Sequence, residues 1–159
     1  MAGQDAVVDA GLDATTALVA AYLGAVETAS NWRDKEPMLA ALLAFVEAPV
    51  AAHKEAFRAA DGLSRVNRII RGGFLDRHVV LACDLICATT HPGETDARLV
   101  ETLLHIETVE RSEARRDLTR NHVEVREAAG RALVSLGARG RGGTRAPCKP
   151  GGLGRGRPI

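Results

Sequence analysis

The amino-acid sequence predicts an all-α fold, on three observations. The apolar 46% of the 159-residue chain is mostly Ala, Leu and Val, with only three Phe, one Tyr and one Trp. Ala and Leu favour helix, and small side chains let helices approach closely. Apolar residues recur at three- and four-residue intervals in one segment after another, the spacing of a helix with one buried side. Finally, no segment sustains the two-residue alternation of a half-buried strand.

The elements follow in order. Gln4 to Ala10 reads as a short helix ended by Gly11, and Asp13 as the cap of a second running to about Thr28. That second helix carries Leu12, Thr15, Val19, Leu23 and Val26 along one side. Ser30-Asn31 offers the next start. Trp32 to Glu47 holds Met38, Leu39, Leu42, Leu43, Phe45 and Val46, a buried pattern. Pro37 belongs in a first turn, so regular helix is expected from near Glu36. Pro49 opens a helix to Ala60, ended by Asp61-Gly62, and Leu63 to Arg71 follows with Leu63, Val66, Ile69 and Ile70. Asp76 caps Arg77 to Thr89, and His91-Pro92-Gly93 breaks the chain again. Asp96 to about Arg116 presents Leu99, Leu103, Ile106 and Val109. Asn121 is placed to cap Val123 to Leu136, with Gly137 as its stop.

Charge divides the chain unevenly. The formal net charge is +1, yet residues 138–159 hold Arg139, Arg141, Arg145, Lys149, Arg155 and Arg157 with no acid. The remainder has 15 basic against 20 acidic residues, a net of −5. An acidic folded domain, residues 1–137, is therefore expected to carry a basic Gly/Arg/Pro-rich tail, residues 138–159. The tail is too poor in apolar residues to offset chain entropy, so it is read as disordered. Three cysteines cannot all pair, and Cys83 and Cys87 lie four apart on one helix, which favours a reducing compartment. Ala14 to Val26 is too short to cross a bilayer, and no leader is recognisable. The expectation is an intracellular protein, cytoplasmic rather than nuclear, without a membrane partner.

Two segments repeat. A short helix ending in Ala-Gly or Asp-Gly recurs at 6–12 and 57–63, and a longer apolar helix recurs at Lys35–Val46, His78–Thr89 and Val125–Leu136. The longer helices start 43 and 47 residues apart, close to the 40–47 of armadillo and HEAT units. The run from Ala52 to Val66 (AHKEAFRAADGLSRV) resembles the armadillo passage from first to second helix. Glu124 to Gly137 (EVREAAGRALVSLG) resembles the third helix of such a repeat. The resemblance implies a short right-handed α-solenoid of about three repeats, near 4–47, 50–90 and 94–137, with the third weak in its first helix.

Stacked units share one core and leave a curved wall lined by the third helices, a surface for a protein or peptide. The resemblance implies a non-enzymatic scaffold without a cofactor, binding its partner through Phe45, Asp84, Ala88, Arg131 and Ser135. In the nuclear-import adaptors of this family the wall bears ladders of Trp and Asn. Carried over, the Trp positions fall on Ala41, Asp84 and Arg131, and the Asn positions on Phe45, Ala88 and Ser135. None matches, so capture of a basic localisation peptide by the usual ladder is not expected. Two other readings stand beside this one. Arg139, Arg141, Arg145, Arg155 and Arg157 could serve RNA through phosphate attraction and guanidinium stacking, or the chain is part of a longer solenoid.

Other candidates have plainer readings. Cys83, Cys87 and His91 have helical spacing, but His91 stands beyond the helix end beside Pro92, and small cysteines pack well in helical cores. His53, His105 and His122 read as ordinary surface or half-buried histidines. Glu107–Arg120, with Glu110, Arg111, Glu113, Arg115, Arg116 and Asp117, mixes both signs and reads as a solvated helix end. No phosphate loop, zinc-protease motif or nucleophile elbow occurs.

Overall fold

Residues 2–72, 76–109 and 121–138 are described in the computed structural model of the chain, and every regular element among them is an α-helix. In chain order these are α1 (Ala2–Thr28), α2 (Trp32–Glu47), α3 (Ala51–Ala59), α4 (Gly62–Arg71), α5 (Asp76–Thr89), α6 (Ala97–Val109) and α7 (Asn121–Ser135). The all-α expectation is met. None of these helices is long and apolar enough to cross a membrane.

Several boundaries lie where their residues direct. Asn31 caps α2 by accepting from the Arg33 N–H at 3.1 Å. The Asp96 carboxylate accepts from the N–H groups of Arg98 and Leu99, both at 3.0 Å, and so satisfies two donors that α6 cannot use internally. Gly137, at φ +70°, ends α7 in a Schellman motif, with Ala138 N–H bonding to Leu133 and Gly137 N–H to Val134.

Other expectations need correction. Gly11 does not end a helix, because α1 runs through it unbroken and Asp13 lies inside. An interior glycine costs only about 1 kcal/mol, which Ala-rich flanks outweigh. The Thr15 hydroxyl also bonds the Gly11 carbonyl at 2.8 Å. Helix α2 begins at Trp32 with Pro37 inside it. The hydrogen bond lost at Pro37 is the one to the Arg33 carbonyl, and both residues are exposed, so that carbonyl is not left in an apolar interior. Helix α3 begins at Ala51, two residues after Pro49. No helix occupies 90–96, so α6 follows α5 directly. Glu107, expected at a solvated end, is buried. The rest of the charged run and tail residues 139–159 lie outside the described residues.

The helices pack in two rows. Helix α5 lies against both α2 and α7, and α4 against both α1 and α6, while α2 does not touch α7 nor α1 touch α6. The short α3 packs on α1 and touches α2, α4 and α5. One apolar cluster runs through the rows, with Leu23, Val26, Leu39, Phe57, Val66, Leu85, Ile86, Leu99, Leu103, Leu133 and Leu136 fully buried. Phe57 is the largest. Polar ties act both between the rows, from α1 to α2, and within one row, from α4 to α1. Tyr22 donates to the Met38 carbonyl at 3.0 Å, and Arg65 to the Ala20 carbonyl at 3.1 Å. Glu27 on α1 receives Arg68 at 3.0 Å and Arg65 at 3.5 Å.

Candidate binding face

The line where α5 meets α7 gathers three of the five residues singled out by the repeat alignment. Arg131 Nη2 donates to Asp84 Oδ1 at 3.0 Å, across 47 residues of chain. One turn further along α5, the Cys87 thiol lies near Ser135 of α7. The Ser135 hydroxyl donates to the Ala132 carbonyl at 2.9 Å. One cross-helix ion pair, with a thiol and a hydroxyl near each other one turn on, thus marks this boundary. Ala88, the fourth, is half-buried on α5.

The ion pair faces solvent, with 55% of the Arg131 side chain and 31% of the Asp84 side chain exposed. A pair in that setting adds at most about 1 kcal/mol to stability. Its chemical interest lies in what it leaves unused. Arg131 has five donors and Asp84 two acceptor oxygens, and the pair engages one nitrogen and one oxygen. The surface therefore offers both a donor and an acceptor to an approaching main chain.

Phe45 is placed differently. Its ring stacks on His53 of α3, with centroids 3.9 Å apart and planes inclined by 13°. His53 Nδ1 is 2.8 Å from the Phe45 carbonyl. On its other side Phe45 lines an apolar cleft of about 200 Å³ with Leu18, Tyr22 and Ala41, between α1 and α2. The neighbours of Phe45 thus belong to α1 and α3, whereas Asp84 and Arg131 mark the α5–α7 boundary. Arg139, Arg141, Arg145, Arg155 and Arg157 lie outside the described residues.

Neither Cys83 nor Cys87 is poised for nucleophilic chemistry. Cys83 and Cys87 are free thiols. Burial, with the neighbouring Cys87 and Asp84, pushes the Cys83 thiol up to about 12. Burial also raises Cys87, against the opposing effect of the nearby Ser135 hydroxyl. A thiol that resists ionisation is a poor nucleophile and a poor metal ligand. Among the described residues no three His, Cys, Asp or Glu side chains converge as a metal site. His91 instead points Nε2 at Glu55, 3.3 Å away.

Sequence reasoning missed two features. Arg58 on α3 and Glu94, before α6, form a two-pronged ion pair, which no local pattern announces. His78 is buried on α5, 2% exposed, with Nε2 unpartnered among the described residues. Its place in an apolar helical run was the one available signal. No protein-family model, curated protein or solved structure matches the chain.

Proposed function

We propose that the chain is a non-enzymatic interaction module: a short right-handed α-solenoid of about three armadillo-like repeats, presenting a concave wall of α2, α5 and α7 to a protein or peptide. The units are α1–α2, α3–α5 and α6–α7, with the short first helix separate only in the middle one. The observation that carries this reading is the Asp84–Arg131 pair. Two positions chosen as equivalent in successive units face each other across adjacent helices, as stacking by simple translation requires. The two rows of helices support the same arrangement, because each middle helix touches its equivalents on both sides.

On this reading Asp84 and Arg131 hold the main chain of an extended segment, while Ala88 and Ser135 keep the wall low enough for close approach. The segment needs no marked net charge, since the wall offers one cation and one anion. The test is selection of peptides from a random display library on the full chain, followed by affinity measurement on Asp84→Ala and Arg131→Ala. Each substitution should weaken selected peptides about tenfold, with the helical circular dichroism unchanged. Peptides that bind both variants as tightly as the parent would remove this wall from consideration.

A further inference from the structure

The other row of helices carries an open groove of about 620 Å³ between α4 and α6, within the ~300–1,000 Å³ range of ligand sites. Ile70 and Ile106 supply its apolar part, and Arg71, Arg98, Glu101 and His105 its polar part. Ile70 is buried and Ile106 half-buried, whereas Arg71, Arg98 and His105 are exposed.

The two arginines differ from most others in the fold. Arg58, Arg65, Arg68, Arg77 and Arg131 each have a carboxylate partner. Arg71 and Arg98 have none among the described residues, although Glu101 lines the same groove. Among the described lining residues, two guanidinium groups against one carboxylate make the groove locally positive. The first 137 residues as a whole have a net charge of −5, so this local excess runs against the surrounding field.

We propose that this groove docks a short acidic segment of a partner protein, whose carboxylates pair with Arg71 and Arg98 while an apolar side chain rests on Ile70 and Ile106. The inference does not depend on the α2–α5–α7 wall, because α4 and α6 belong to the other row. Three features favour such a segment. Guanidinium groups match carboxylates in charge and in their planar, two-donor geometry. From Arg98 to Ile106 the helix rises about 12 Å, room for about four extended residues. The apolar floor has no use for a bare anion, and the described residues that line the groove include no Phe, Tyr or Trp platform of the kind on which nucleic-acid bases commonly stack.

Fluorescence anisotropy of the full chain with a labelled peptide of core Glu-Leu-Glu-Glu tests the proposal, at a salt concentration near physiological. The double variant Arg71→Glu/Arg98→Glu should bind at least tenfold more weakly than the parent. Lys54→Glu/Arg126→Glu makes the same change of net charge at exposed sites outside the groove, and should bind like the parent. The comparison also cancels any contribution from the basic tail, which both variants retain. Replacing the peptide leucine by glycine should weaken binding severalfold, and a Lys-Leu-Lys-Lys core should not bind. Equal affinities of the two double variants, or indifference to the leucine, would overturn the proposal. So would displacement of the peptide by inorganic phosphate at the peptide's own concentration, which would mark a simple anion site.

Discussion

Arg58 and Glu94 meet through two parallel hydrogen bonds, Nη1 to Oε2 at 2.7 Å and Nη2 to Oε1 at 2.8 Å. The same Nη1 donates to the Thr89 carbonyl at 3.0 Å, among the last carbonyls of α5. One guanidinium on α3 thereby ties down both the end of α5 and the connection to α6. Glu94 closes its own turn as well, accepting from the His91 N–H at 3.2 Å.

Loss of that cation should be measurable. Arg58→Ala is expected to lower unfolding stability by about 1–2 kcal/mol, between the values for exposed pairs and for charged hydrogen bonds in less wet sites. The hydrogen bond from Arg58 holds the Glu94 carboxyl below its ordinary 4.5. A depressed carboxyl contributes stability that is complete above 4.5 and lost as pH falls through the lower folded value. Urea titrations at pH 7 and pH 3.5 check this. The gap between parent and variant should narrow at the lower pH, and a constant gap would contradict the linkage.

Glycine substitutions should divide by position. A Cβ on Gly62 would clash with the ring of Phe57 and lie 2.5 Å from the Phe57 carbonyl oxygen. Phe57 is fully buried and has nowhere to retreat. Gly62→Ala should therefore cost about 1–3 kcal/mol. At Gly11 and Gly130 nothing lies within 4 Å of an added Cβ. Both sit inside helices, so Ala there should add about 0.5–1 kcal/mol each. Thermal denaturation of the three variants gives the sign directly.

His78 makes the fold sensitive to mild acid. Burial lowers its pKa below 6.5, against the opposing pull of Glu36 and of a hydrogen bond to the Trp32 main chain. The native ring stays neutral where the unfolded ring takes up a proton. Stability is therefore complete above about 6.5 and declines as pH falls from there toward the folded value. Between pH 7.5 and 5.5 the parent should lose more melting temperature than His78→Leu. Equal losses would exclude His78 as the source.

Thiol chemistry should report packing. With Cys148 replaced by Ser, the native chain should leave Cys83 unalkylated by iodoacetamide at pH 8. Its thiol, pushed up to about 12, is almost entirely protonated there and is shielded from reagent. Unfolding in urea should expose it to labelling at the rate of an ordinary cysteine. Mass spectrometry of the labelled peptides separates Cys83 from Cys87, and rapid native labelling at Cys83 would refute the packing described.

Much of this fold is written locally. Asn31, Asp96 and Gly137 act within one turn of the helix ends they define, so their roles need no distant partner. The apolar spacing of Val19, Leu23 and Val26, or of Leu99 and Leu103, likewise specifies a buried face before any neighbour is known. The repeat period placed Asp84 and Arg131 in equivalent positions, while their 3.0 Å contact depended on how α5 and α7 are set side by side. Gly11 shows the limit of a local rule. A stop signal worth about 1 kcal/mol yields when the flanking residues favour helix on both sides.

The sequence alone determined an all-helical chain, most of its helix boundaries and the apolar faces, because those follow from hydrogen bonds and spacing within a few residues. Only the tertiary structure decided that Arg58 would find Glu94, that His78 would be sealed from water, and that Arg71 and Arg98 would line one groove with no carboxylate among the described residues bound to either. Such pairings join residues tens of positions apart. Which side chains meet is then set by the packing of whole helices, which no short stretch of sequence encodes.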